Sequence, residues 1–400
     1  MTTNKNHNSP NVPNLRFPEF QGEWEELGLS ELLDFKNGLN PKLDKFGKGI
    51  KFISVMDILN NAVITYDCIK ASVDVTEKEL SDFSVEKGDI LFQRSSETLE
   101  DVGRANVYMD DKTAVFGGFV IRGKKKGEYD PQYFNYLLRS PFARKRIVPM
   151  GAGAQHFNIG QEGLSKVNLH FANIKEQKKI GKMFSLLDER IATQNKIIED
   201  LKKLKYAIIE MEYGNMAKSI SYIGDFIEQT SKRNKDCAIL NVLSVSNSQG
   251  FIQQSEQFEN RIVASDDTSN YKIVARNDFA FNPARINVGS IARLTTFERG
   301  IVSPMYICFR TKDNLFPEYL DYYFESKRFF AEIQKRLEGS VRQCLSFEGL
   351  CNIPLCIPTV EVQQQIGKRL STLAKEIKLE IDFLELLQRQ KRFLLHQIFI

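Results

Sequence analysis

Two long stretches of this chain place apolar residues at alternating spacings of four and three. The first runs Ile180, Phe184, Leu187, Ile191, Gln194, Ile198, Leu201, Ile208. The second runs Ile366, Leu370, Leu373, Ile377, Glu380, Leu384, Leu387, Leu394. A seam of this period, sustained this long, predicts paired helices of the coiled-coil type. The alternative is a helix packed along its own domain. Taken as 174–213, the first helix is about 60 Å long at 1.5 Å per residue. Elsewhere the apolar runs are short and bounded by Gly, Asp and Lys turns, which predicts strands at Ile50–Val55, Ile90–Gln93, Asn106–Met109 and Ala114–Arg122. Asp130–Arg146 is an aromatic, basic helix opened by Pro131. A glycine-rich loop, Gly151 to Asn158, follows it.

The same order then returns. Strands are expected at Ala238–Val245, Phe279–Asn282, Ile291–Leu294 and Ile301–Arg310, a helix at Pro317–Leu337, and a loop from Gly339 to Cys344. Pro131, Tyr133, Tyr136 and Ser140 recur 186 residues later as Pro317, Tyr319, Tyr322 and Ser326. Gly153, Glu162, Gly163, Leu164, Gln177, Ile180, Gly181 and Lys182 recur at the same offset. Upstream, Val85, Asp89 and Phe92 match Val274, Asp278 and Phe281 at 189, so the first copy carries three extra residues between Phe92 and Val102. Length changes belong in loops, where recognition varies. A period this long is a duplicated domain, not a solenoid.

The expected fold is therefore α+β: two similar mixed α/β domains joined by two long antiparallel helices, with a pseudo-twofold internal repeat. The boundaries read as a disordered leader over 1–11, a first domain with an N-terminal arm over 12–172, a helix over 173–213, a second domain over 214–358, and a distal helix over 359–400. Gln194 and Glu380 are matching polar interruptions of the two seams. Paired antiparallel, the helices would bring them together to fix the register, as one polar core position can; the alternative is that both face water.

Composition narrows the class. Of 400 residues 42% are hydrophobic and 26% charged, as in ordinary globular proteins. No apolar run reaches the ~18 residues of a membrane span, and the polar start lacks a signal-peptide core, so the chain is expected in the cytoplasm. The six cysteines do not match between the copies, which argues against a disulfide or metal framework in the repeat. The four histidines lack metal-ligand spacing. There is no Gly-x-x-x-x-Gly-Lys-Ser/Thr loop and no Gly-x-Gly-x-x-Gly fingerprint. Asn282-Pro283-Ala284-Arg285 shares two residues with the Asn-Pro-Pro-aromatic motif of adenine methyltransferases, but lacks the second proline and the aromatic. No catalytic, cofactor-binding or metal site is expected.

Nucleic acid is the better partner, although a net charge of +4 only permits it. Two similar faces suit a duplex with its own approximate twofold symmetry, and long helices suit half-sites about one turn, ~34 Å, apart. Basic and amide side chains fall on equivalent loops: Gln93, Arg94, Ser95 and Arg104, with Lys124, Lys125 and Lys126 further on, against Asn282, Arg285, Asn287 and Arg293. The glycine loops add Gln155, His156 and Asn158 in one copy and Arg342 and Gln343 in the other. Arg, Asn and Gln read base edges; Lys mainly meets phosphate. Taken singly, each reads more readily as an ordinary solvated side chain; their clustering in both copies carries the collective reading.

The chain resembles the specificity subunit of type I restriction–modification systems, over nearly all its length from Val12. The resemblance rests on the order of domain, long helix, domain, long helix, and on the opening Leu15-Arg16-Phe17-Pro18-x-Phe20…Gly22-Glu23-Trp24. The family's junction, Pro-x-Leu-x-Glu-Gln-x-x-Ile, appears twice imperfectly: Glu176, Gln177 and Ile180 fit while Ala172 replaces the proline, and Pro358, Gln363 and Ile366 fit while Val362 replaces the glutamate. The close, Leu386-Leu387-x-x-Gln390-Lys391-x-Phe393-Leu394-Leu395-x-Gln397-x-Phe399, also matches.

The resemblance implies a non-enzymatic subunit whose two target-recognition domains each read one part of a bipartite double-stranded DNA site. The resemblance also implies a methylatable adenine in each part; that the two parts differ follows from the unlike loops of the two copies. The paired helices would set the gap and dock two modification subunits, and two restriction subunits would join them. S-adenosylmethionine, ATP and Mg would sit on those partners. The competing readings are a standalone two-headed DNA-binding protein and a methyltransferase with a cryptic site.

Overall fold

A computed structural model describes residues 2–3, 11–214, 221–247, 249–254, 267–339 and 343–400. Contacts group the chain into two compact units, Met1–Asn195 with Asp382–Ile400, and Lys196–Ile381. Each unit thus holds one globular domain, part of the first long helix (Ile174–Gly214) and part of the second (Val360–Ile398).

In the first unit one antiparallel sheet has the order Ala105–Val107, Ile90–Gln93, Val120–Lys125, Leu33–Asn37. A second sheet has the order Ser72–Val73, Phe46–Ile53, Ala114–Phe116, Ser84–Val85, and its middle pair is parallel. Successive strand side chains point to opposite faces. Ile90 and Phe92 accordingly join the core beneath the helices, while Leu91 joins Ile53, Tyr108 and Phe116 between the sheets. Burial on both faces is why this strand reads as an unbroken apolar run.

The second unit repeats the plan. One sheet orders Ile291–Arg293, Phe279–Phe281, Ile307–Thr311, Ile227–Thr230; the other orders Gly250–Gln253, Val242–Ser246, Arg299–Val302, Lys272–Ala275, again with a parallel middle pair. Phe279 and Phe281 face one core and Ala280 the other.

Four predicted elements are split. The helix expected over Asp130–Arg146 is two, Pro131–Arg139 and Pro141–Ile147. Ser140 takes an extended conformation because a residue before proline is pushed out of the helical region, and its hydroxyl caps Ala143 N at 3.2 Å. Pro317–Leu337 divides into Pro317–Tyr323 and Lys327–Gln334 around Ser326, which caps Phe329 N at 3.2 Å. The strand expected over Ala114–Arg122 breaks at Gly117-Gly118-Phe119, and Ile301–Arg310 breaks at Ser303-Pro304-Met305. Thr2–Thr3 pairs antiparallel with Leu15–Arg16; residues 1 and 4–10 of the expected leader lie outside the described residues.

The long helices run antiparallel within the first unit. Phe184 stacks on Phe399 with centroids 5.9 Å apart, Asp188 pairs with Lys391 at 2.5 Å, and Arg190 lies over Phe383. In the second unit Glu212 pairs with Arg369 at 3.1 Å and Tyr213 donates to the Tyr319 carbonyl at 2.8 Å. Among the described residues no helix is long and apolar enough to cross a membrane, and no cluster of His, Cys, Asp and Glu could hold a metal ion.

Candidate nucleic-acid interface

Each domain builds one loop pair from the same local geometry. In the first, the chain leaves the sheet after Gln93, loops out, and returns at Ala105. The outgoing segment Ser95–Ser96 pairs antiparallel with Phe157–Asn158 of the glycine-rich hairpin. That hairpin closes through Ala152 N to Asn158 O at 2.9 Å and Asn158 N to Ala152 O at 2.8 Å, and Ile159 N docks it on Arg94 O at 2.9 Å. Gly153 has φ +146°, and a Cβ there would lie 2.0 Å from His156 O, so the turn demands glycine. The three extra residues of this copy fall in the segment Arg94–Arg104, whose short helical turn, Leu99–Asp101, has a counterpart at Ile286–Val288 in the second domain.

The second domain repeats the hairpin and docking bonds, whereas the pairing of Ser95–Ser96 has no counterpart among its described residues. Glu338 and Cys344 exchange both backbone bonds (2.9 and 2.8 Å), and Leu345 N docks on Pro283 O at 3.0 Å. Gly339, the counterpart of Gly153, has φ +104°. The repeated glycine is therefore a turn requirement.

The geometry gathers Gln93, Arg94 and Ser95 with Gln155, His156 and Asn158. Ser95 Oγ donates to Asn158 Oδ1, Arg94 donates to Gly118 O at 3.3 Å, and the last three side chains are exposed. Gln93 is buried; its amide donates to Ser95 O at 2.9 Å and its Oε1 has no partner. In the second domain Asn282, Arg285 and Asn287 stand on the outgoing loop, beside the hairpin that carries exposed Gln343. Arg342 lies outside the described residues.

Other expected residues are placed elsewhere. Val120 is the residue opposite Gln93, whereas Lys124 is opposite Asp34, roughly 13 Å further along the strand at about 3.3 Å per residue. Lys124 faces Glu86 at 3.5 Å, Lys125 donates to Tyr129 O at 3.1 Å, and Lys126 donates to Ser30 O at 3.4 Å. These three lysines do not join the loop pair. Arg293 does not either: its side chain is 8% exposed and pairs with Glu318 at 2.7 Å and Asp321 at 3.1 Å. It holds a helix to the sheet. Arg104 is exposed at the returning end of its loop, paired with Asp101 at 2.5 Å.

Two features escaped the sequence reading. Phe119 and Met305 are 68% and 60% exposed, occupy equivalent turns, and stand beside the loops: Arg94 N donates to Phe119 O at 2.9 Å, and the Asn282 amide reaches Met305 Sδ at 3.8 Å. Their spacing matches the repeat, but each was absorbed into a longer expected strand. The second feature is a cleft of about 710 Å³ in the first domain, lined by Arg104, Arg139, Arg144 and Lys145 among others. Burial, and then the neighbouring Arg104, pushes the Arg144 guanidinium down to about 10. The basic character of that helix was legible; the convergence of its cations was not.

Fold and loops together define a class: a duplicated α+β domain that presents one paired-loop face per copy on long-helix supports. The chain belongs to the family of type I restriction modification DNA specificity domains, which match it twice, over residues 21–203 and 215–389. It is 27% identical over 197 residues to a putative type I restriction enzyme MjaX specificity subunit of Methanocaldococcus jannaschii, covering 48% of this chain and 46% of that protein. It is 21% identical over 199 residues to the MjaVIII specificity subunit of the same organism, with the same coverage. The matched stretch spans about half the length of these curated relatives. Among solved structures, the S subunit of a type I restriction–modification system from M. genitalium aligns with a TM-score of 0.61 at 16% identity, covering 97% of this chain and 99% of that one. A chain from a study of type I R-M complex assembly aligns at 0.56 and 11%, covering 93% and 96%. These likenesses are of fold.

Proposed function

We propose that this chain is the DNA-recognition subunit of a type I restriction–modification complex and performs no catalysis of its own. Each domain reads one part of an asymmetric bipartite site in double-stranded DNA. The observation that carries the reading is the loop pair, closed and docked by the same backbone bonds in both domains yet furnished with different side chains. Arg94, Gln155 and Asn158 would read one part and Arg285, Asn287, Gln343 and Arg342 the other, since Arg, Gln and Asn make bidentate contacts to purine edges. Phe119 and Met305 would meet thymine methyl groups or an opened base step.

Two modification subunits, and two restriction subunits with them, are the proposed partners; S-adenosylmethionine, ATP and Mg belong to those chains. The proposed site of action is the cytoplasm. The long helices set the gap between the two parts, with Gln194 and Glu380 proposed to meet and fix their register. Oxidative cross-linking of a Gln194→Cys, Glu380→Cys double variant checks that contact.

The test of function is adenine methylation across the genome of a methylation-free host expressing this chain with and without its modification subunit. A bipartite motif present only with both proteins supports the proposal. Tight sequence-specific DNA binding by the chain alone, with no copurifying modification subunit, favours a standalone DNA-binding protein instead.

A further inference from the structure

We infer that the first domain carries an anion site for a phosphate group at the root of its reading loop, in the cleft lined by Arg104, Arg139, Arg144 and Lys145. The inference rests on the proposed DNA-recognition role for its favoured occupant, a backbone phosphate of the bound duplex.

Positive charge in the cleft is poorly compensated. Arg144 donates only to backbone, to Glu100 O at 2.8 Å and Val102 O at 2.6 Å, and its buried Nη1 has no partner. Arg139 donates to Asn61 O at 3.3 Å. Of the neighbouring carboxylates, Asp101 pairs with Arg104 and so offsets one of the four cations, while Asp188 pairs with Lys391 and accepts from Tyr136; Arg139, Arg144 and Lys145 have no paired carboxylate among the described residues. Among the described residues Glu100 is the one acidic residue lining the cleft. Cations withdrawn from water without a counter-charge are costly, and an anion in the cleft relieves that cost.

The scaffold does not need these cations. At the repeat offset the second domain has Ser290, Glu325, Phe330 and Ala331 in place of Arg104, Arg139, Arg144 and Lys145, and it builds the same sheets and helices. Arg144 also braces the longer loop of this copy through Glu100 O and Val102 O, but the surplus of cations over carboxylates in the cleft points to a ligand as well. The place points to which ligand. Gln93 N donates to Arg104 O at 2.7 Å and Gly103 N to Gln93 O at 2.9 Å, so the cleft begins where the loop bearing Arg94 and Ser95 leaves the sheet. Guanidinium groups match phosphate oxygens in a fork geometry.

The experiment compares the full chain with its Arg144→Gln and Lys145→Gln variants. Lys145 is exposed, so its variant cannot fail through lost packing. Duplex affinity is measured against salt with the modification subunit present, and inorganic phosphate and AMP are titrated into each chain by calorimetry. Loss of one phosphate contact reduces the salt slope by about 0.9, and base preference stays unchanged because phosphate contacts carry no sequence information. That result supports the site with DNA as its source. An unchanged slope, with phosphate or AMP binding that both variants lose, supports the site with a free phosphate ligand as its source. Unchanged slopes and no phosphate or AMP binding by the unmodified chain overturn it. If the chain binds no duplex together with its modification subunit, the recognition role fails, and the titrations still decide the cleft.

Discussion

The two junctions where a globular domain meets its long helix are alike in one residue and unlike in its neighbour. Gln177 is buried, accepts from Asp130 N at 2.9 Å and donates to Ala172 O at 2.8 Å. Gln363 is equally buried, accepts from Phe316 N at 2.8 Å and donates to Pro358 O at 2.9 Å. These are the same backbone groups at the repeat offset. The preceding residue differs. Glu176 is buried and forks onto Arg16 of the N-terminal arm with two bonds of 2.8 Å, whereas its counterpart Val362 is 40% exposed. The glutamine anchors helix to domain in both copies; the glutamate anchors the N-terminal arm, which has no counterpart among the described residues of the second copy. What the duplication preserved is backbone anchoring, and what it let diverge is contact with things outside the repeat, which includes the loops.

Glu176→Ala separates the two junctions most strongly. It strands a buried guanidinium and should cost about 3–5 kcal/mol, read by urea unfolding, while Val362→Ala stays within about 0.5 kcal/mol. Equal losses at the two sites would contradict the assignment. Gln177→Leu and Gln363→Leu each leave buried backbone groups unpaired. Each should cost about 2–3 kcal/mol, and a strong inequality between them would show that the two anchors are not equivalent.

On DNA, Arg94→Ala should weaken discrimination by about 1–3 kcal/mol in one part of the site only, measured by selection from random duplexes. Arg293→Ala should lower the unfolding stability of the chain and leave base preference in place. Inserting four residues beside Lys196 should lengthen the recognised gap without changing either part. A gap that does not move would remove the spacer role from the helix.

Much of this was legible in the sequence, because a repeat compares the chain with itself. The matching of Tyr133 with Tyr319 marked equivalent helices, on which both side chains prove buried, and the three-residue length difference marked the loop Arg94–Arg104. Gly181 and Gly367 recur because a Cβ would lie 2.7 Å from Asp130 Oδ1 in one case and 2.9 Å from Glu318 Cβ in the other. What stayed hidden depended on side-chain partners that spacing does not reveal. Arg293 looked like a base reader until Glu318 and Asp321 met it from a helix distant in sequence. Lys124–Lys126 looked continuous with the loops, but strand register carried them along the sheet. Arg139 and Arg144 lay on what read as one basic helix; the break at Ser140 and the return of Arg104 shape their cleft.

The central claim is that each loop pair reads its own part of the site. The most direct test replaces both loops of the first domain's pair with those of the second domain and maps methylation in the presence of the modification subunit. The account predicts a motif in which one part changes and the other, with the gap, is retained. A functional replacement that changes both parts, or neither, would contradict it.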